Sequence, residues 1–282
     1  MSADRTEDGL TQDGWTEGGL LQGGLTQDGW TGTVTLGIEA LSVATLPFEH
    51  YVPLGSFPVD AVPLFRLERE HGIPAEHVLV LSSQDTTGGE PDVSALALAG
   101  LGAPPVEQPL FLVRSGPLRD SMVASLAQLV HESGWVGEDV GITHLEELGG
   151  TVVFDLLGWA VPQESGATVV VCDEPLFADA RVPGHFAAVG LRVRRGAGPL
   201  RVAGCGEGPP DGAVGAVAHR FSGRGACDGW LALHRALAAG RVRDGERVLV
   251  HASGPLREGW LLLDAVDTAA LRLTANASHA GS

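Results

Sequence analysis

Cys227 has Asp228 beside it and His219 eight residues upstream, the residue types of a thiolate nucleophile and its base. A small cysteine packed as an apolar residue is the competing reading. Around it, GRGACDG (223 to 229) has a glycine spacing that could bring backbone up to a pyrophosphate at a helix N-terminus. The weak strand character of GAVGAVAHRFS before it favours a tight turn into a helix instead. GCGEGPP (204 to 210) is weaker still, because two prolines stand where a helix should start. Arg192 and Arg194 fall on one face by period two, and with Arg195 and Arg201 they form the densest basic spot of the chain. They read either as a docking surface for an acidic carrier protein or as a solvated edge strand that resists aggregation.

Other chemistries are excluded by residue type. The chain has 18 arginines and no lysine, so Schiff-base, P-loop and Ser-Lys mechanisms have no residue to carry them. No serine sits in a G-x-S-x-G elbow, and HESGW (131 to 135) lacks the second histidine of a zinc helix. No metal-ligand set and no cofactor loop is predicted. The net charge is −17, of which residues 1 to 32 carry −5 and the rest −12, a field that repels nucleic acid. Arginine without lysine and a single asparagine, Asn276, fit a GC-rich bacterial genome. Three unevenly spaced cysteines, no apolar run of membrane-spanning length and no signal-like N-terminus predict a cytoplasmic protein without a membrane segment.

The elements that must position these residues alternate. Strands are expected at 33 to 45, 77 to 82, 110 to 113, 167 to 174, 247 to 253 and 270 to 274, with a hairpin over 186 to 195 and 200 to 204. Helices are expected at 60 to 71, 94 to 101, 119 to 131, 229 to 240 and 258 to 265, with a fully buried one at 151 to 161. Such alternation predicts an α/β layered domain. Residues 8 to 32 divide into five pentapeptides, each with glycine second and leucine or tryptophan third. Five units make little more than one coil of a solenoid, so residues 1 to 32 read as a flexible acidic tail, or as an adhesive segment using Trp15 and Trp30.

Three stretches together resemble the ketoacyl synthase branch of the thiolase superfamily, especially its initiating, type III class. They are GGTVVFDLLGWAVPQESGATVVVCDE (149 to 174), HFAAVGLRVRRGAGPLRV (185 to 202) and GWLALHRALAAGRVRDGERVLVHASGPLREG (229 to 259). The resemblance implies a layered αβαβα fold of two related halves, 33 to 180 and 181 to 282. It also implies a nucleophile at the start of the buried helix, near Leu148 or Gly149, where neither residue is one. The second catalytic stretch of the family aligns with FSGRGA (221 to 226), with Ser222, Gly223 and Arg224 in place of asparagine or histidine. The glycine turn that supports an oxyanion aligns with Ser253 and Gly254. The resemblance therefore implies a catalytically degenerate, chain-length-factor-like subunit of polyketide or fatty-acid assembly, handling acyl-carrier protein or acyl-CoA. Such a subunit would form a homodimer or pair with an active ketosynthase. An active acyltransferase that relocates its chemistry to Cys227, His219 and His251, and a carrier-protein binding module using Arg192 and Arg194, are the alternatives.

Overall fold

A computed structural model describes residues 35–47, 51–56, 72–81, 92–115, 125–175, 177–181, 185–210, 214–254 and 256–277. The pentapeptides with Trp15 and Trp30, the expected helix at 60 to 71 and the first turns of that at 119 to 131 lie outside them.

The strands are β1 (Leu36–Pro47), β2 (Tyr51–Pro53), β3 (Val78–Leu81), β4 (Leu110–Arg114), β5 (Asp139–Ile142), β6 (Ala167–Asp173) and β7 (Phe177–Asp179). They continue with β8 (His185–Arg195), β9 (Leu200–Glu207), β10 (His219–Gly223), β11 (Arg247–Ser253), β12 (Glu258–Ala265) and β13 (Arg272–Ala277). The helices are α1 (Val93–Leu101), α2 (Ser125–Ser133), α3 (Val153–Ala160) and α4 (Asp228–Ala238). One sheet runs β10-β11-β12-β9-β1-β8-β6-β4-β5, with β13 parallel to β1, while β2, β3 and β7 form a small separate sheet. The long sheet is really two half-sheets. β9 and β1 touch over only two residues each, Leu200 and Arg201 against Ile38 and Gly37.

The two half-sheets share one core, because α3 and α4 lie between them. Val153, Phe154 and Leu157 of α3 and Trp230, Leu233 and Leu237 of α4 join one apolar cluster with Val169, Val171 and Val189 on one side and Val250, Leu261 and Leu263 on the other. Phe154 and Trp230 stack with ring centroids 5.8 Å apart. Each such large side chain contributes roughly 1.5–3 kcal/mol by leaving water. On the far face of the first half-sheet, α1 and α2 cover Leu110, Leu112, Val170, Cys172 and Ala188. That is why β6 is apolar on both faces. On the far face of the second half-sheet, Leu249 and Leu262 are covered by Val214 and Val217 of a loop, and no helix lies there among the described residues. No helix among the described residues is long and apolar enough to cross a membrane.

Four local expectations need correction. The stretches 186 to 195 and 200 to 204 do not pair as a hairpin: β1 lies between them, running along β8 and meeting β9 at Gly37 and Ile38. Residues 258 to 265 form strand β12 instead of a helix: Gly259, Leu261 and Leu263 face the core while Trp260, Leu262 and Asp264 face away, a period of two. HRFSG, read as weak, is the parallel edge strand β10. The 151-to-161 helix is buried on one side only, with Leu156 and Trp159 exposed.

Candidate functional site

The two central helices meet end to end at the place the resemblance assigns to catalysis. Before α3, a single 3-10 turn spans Glu146–Gly150, entered through two non-glycine residues at positive φ, His144 at 63° and Glu146 at 48°. Such angles are costly and persist only where surroundings enforce them. Here the Glu146 amide donates to the Ser115 carbonyl at 2.6 Å. Burial, then the neighbouring Glu147, raises the Glu146 carboxyl above its ordinary value.

Leu148 is buried and its methyl reaches toward Gly259 of β12. A side chain on Gly149 would point at Val113, Ala226 and Leu145, the nearest atom 3.4 Å away. A methyl on Gly150 would lie 1.8 Å from the Ala226 carbonyl oxygen, so backbone touches backbone there. Trp230 locks the contact by donating its indole N–H to the Gly150 carbonyl at 2.7 Å. The closest hydroxyl along the chain, Thr151, is fully buried with its Oγ1 unbonded. No side chain at 148 or 149 can attack a carbonyl.

The donors that could stabilise an oxyanion are occupied as well. Asp228 Oδ2 accepts the amides of Arg224 and Gly225 at 3.0 Å each. Asp173 accepts those of Ala226 and Cys227, and the Ser115 hydroxyl at 2.9 Å. The positive end of α4 thus faces carboxylates of its own chain. Burial of Asp173 raises its pKa despite these bonds. At the Ser253–Gly254 turn, the Gly254 amide donates to the Arg257 carbonyl at 3.2 Å. The buried Glu147 carboxylate accepts the amides of Arg257 at 2.9 Å and Leu256 at 3.4 Å. A methyl on Gly254 would lie 1.9 Å from Glu147 Oε1. Glu147 therefore fills the turn.

The three residues proposed for relocated chemistry are not brought together. Cys227 is fully buried; its thiol donates to the carbonyls of Val171 at 3.4 Å and Ala187 at 3.6 Å, away from both histidines. Burial pushes that thiol far above its usual value. His219 bonds Glu246 at 3.0 Å and stacks on Phe221. His251 lies on the other face of the sheet, with Glu258 at 2.8 Å on Nε2 and Ser222 at 3.4 Å on Nδ1. Glu258 escaped the sequence reading, although a hairpin over HASGPLRE would have placed it diagonal to His251. Cys172 is buried with its thiol likewise raised, and burial pushes Cys205 up to about 12. Thiolates are the reactive species. The folded chain is accordingly expected to leave all three thiols unreactive toward Ellman's reagent at pH 8, and the chain in guanidinium to titrate three.

Arg192 and Arg194 share a face as predicted, but not an environment. Arg192 is 3% exposed, because α1 ends over it: it donates to Thr168 Oγ1 and to the carbonyl of Gly102, and lies 5.8 Å from the Trp135 ring. Burial, then Arg272, lowers its pKa to about 10. It ties α1 to β6 and β8 and offers no surface to a carrier. Arg194 is half-exposed and paired with Glu39 at 3.0 Å. Arg192→Met is expected to lower stability by about 1–3 kcal/mol, whereas Arg194→Met stays within about 1 kcal/mol, both measured by urea unfolding.

No protein-family model and no curated protein matches the chain. Solved structures do. ChlB3, described as an acyltransferase, superposes with a TM-score of 0.55 at 14% identity over 84% of this chain and 99% of its own. PksG, a HMG-CoA synthase from Bacillus subtilis, gives 0.52 at 12% identity over 83% and 80%. 1,3,6,8-Tetrahydroxynaphthalene synthase from Streptomyces coelicolor A3(2), a bacterial type III polyketide synthase, gives 0.50 at 15% over 80% and 99%. With two half-sheets around a shared pair of helices, the chain has the thiolase-like fold of these condensing enzymes.

Proposed function

We propose that the chain is a condensing-enzyme-like subunit that has lost condensing chemistry and acts beside an active ketosynthase in polyketide or fatty-acid type assembly, shaping the path of an acyl group carried on acyl-carrier protein or CoA. The observation that supports this reading is the contact of Gly150 with Ala226. It closes the junction of the helix ends, where a covalent acyl intermediate would need both a nucleophile and room. The carboxylates of Asp173, Asp228 and Glu147 on the surrounding amides support it further, since an oxyanion would have to displace them.

Two measurements test it. Intact mass after incubation with acetyl-CoA or octanoyl-CoA is expected to show no acyl adduct at position 148, 149 or 227; an adduct lost in Cys227→Ala overturns the degenerate reading. Purification from the native host is expected to bring down a full-length ketosynthase, and recovery of the chain alone counts against a partner role.

A further inference from the structure

On the face of the second half-sheet turned away from α3 and α4, three neighbouring strands set three polar side chains in a row. Ser222 of β10 is in register with His251 of β11, and Glu258 of β12 stands diagonal to that histidine, opposite Ser253. His251 is 9% exposed, Ser222 is exposed, and the Glu258 side chain is partly so. The contacts fix a direction. A neutral imidazole has one donor and one acceptor nitrogen. A carboxylate at 2.8 Å from Nε2 requires the proton there, which leaves the Nδ1 lone pair facing the Ser222 hydroxyl at 3.4 Å. The contacts run in the order nucleophile, base, then the acid that orients the base.

The surroundings suit an acyl group. Trp260, in register with His251, lies over Gly206, where a methyl would come within 2.7 Å of its ring, and it joins an apolar cluster with Leu249, Leu262 and Val214. Arg220 is exposed two residues before Ser222 on the same face of β10, placed for an anionic leaving part. Among the described residues β10 is the edge strand of the sheet, and the outward N–H groups of such an edge are donors of the kind an oxyanion needs.

We propose that Ser222, His251 and Glu258 form a second, hydrolytic site that cleaves small acyl esters or thioesters. The Ser222 oxygen forms a bond to the acyl carbon while His251 Nδ1 takes its proton, and Glu258 stabilises the imidazolium. The C–O or C–S bond then breaks, and the leaving alcohol or thiol takes the proton from His251. Water, deprotonated by the same nitrogen, adds to the acyl-serine; release of the carboxylic acid returns the proton to Ser222. No oxidant or metal enters. This site is on the opposite face of β10 to β12 from the helix junction, so it goes beyond the partner reading, and co-purification of a ketosynthase bears only on the latter.

The test is labelling of the full chain with a fluorophosphonate, in which a Ser222 O–P bond replaces the P–F bond, followed by peptide mass mapping. The expected result is an adduct on Ser222, absent in Ser222→Ala and formed about 10²–10⁴ times more slowly in His251→Asn, the range a general base supplies. Glu258→Gln keeps the fold's shape while removing the charge, and its labelling is expected to slow by a smaller factor. p-Nitrophenyl acetate and acetyl-CoA distinguish a neutral ester from an anionic thioester as substrate, and hydrolysis of at least one is expected to vanish in Ser222→Ala. Label elsewhere than Ser222, equal labelling of His251→Asn with an unchanged melting temperature, or hydrolysis of neither compound overturns the proposal.

Discussion

Trp230→Ala is expected to destabilise the chain by about 3–5 kcal/mol, the range for truncating a fully buried large aromatic. Three losses coincide at this residue. Its side chain is 0% exposed, its ring stacks on Phe154, and its indole N–H is the donor to the Gly150 carbonyl. Alanine therefore leaves a cavity between the half-sheets and an unmet buried carbonyl together. For a domain of this size each kcal/mol moves the melting temperature by roughly 2–4 °C, so a fall of about 6–20 °C should appear in circular dichroism. Trp230→Phe separates the terms: it keeps most of the volume and is expected to cost about 1–3 kcal/mol for the orphaned carbonyl. A melting temperature for Trp230→Ala within about 3 °C of the parent would refute the shared-core assignment.

Gly150→Ala is expected to cost about 3 kcal/mol, at the upper end of ordinary overpacking. The added methyl would meet the Ala226 carbonyl oxygen at 1.8 Å, and no rotamer change relieves a clash with backbone. The two helix ends would have to separate, straining the Trp230 hydrogen bond as they do. Gly149→Ala is the control one residue away. Its methyl finds its nearest neighbour, Val113 Cγ1, at 3.4 Å, so a cost below about 1 kcal/mol is expected. Urea unfolding of the pair reads the difference directly, and equal stabilities would mean that the helix ends do not touch.

Much of this architecture was legible locally, because its signals are local. ATVVVCD, HFAAVGLRVRR and RVLVHAS are β-branched or apolar runs bounded by breakers, and each is a strand within two residues of its expected limits. EGWLLLDA failed because three consecutive leucines fit either period, and only pairing with β9 and β11 decides between them. Arg192 illustrates a different failure. Alternation placed it on the right face, but whether that face is open depends on where α1 ends, some 90 residues earlier in the chain. The candidate site divides in the same way. That Leu148 and Gly149 cannot attack a carbonyl follows from residue type alone. That Asp173 caps α4 and Glu147 fills the 253-to-257 turn does not, since those partners are separated by more than 50 and 100 residues and leave no spacing to read.

The parallel pairing of β13 with β1 has a consequence for how the chain is made. Ala40 through Thr45 take their partners from Arg272 through Ala277. During synthesis on the ribosome, β1 emerges long before β13 and waits for more than 200 further residues before that partner exists. Contacts of such sequence separation form late and slow folding. Both edges of this largely apolar strand stay open until β8 is made, and the edge that awaits β13 remains open after that, a template on which a neighbouring copy can add a strand of its own. Yield of native protein should therefore depend on how crowded the translating ribosomes are, and on chaperones that shield β1 until β13 arrives.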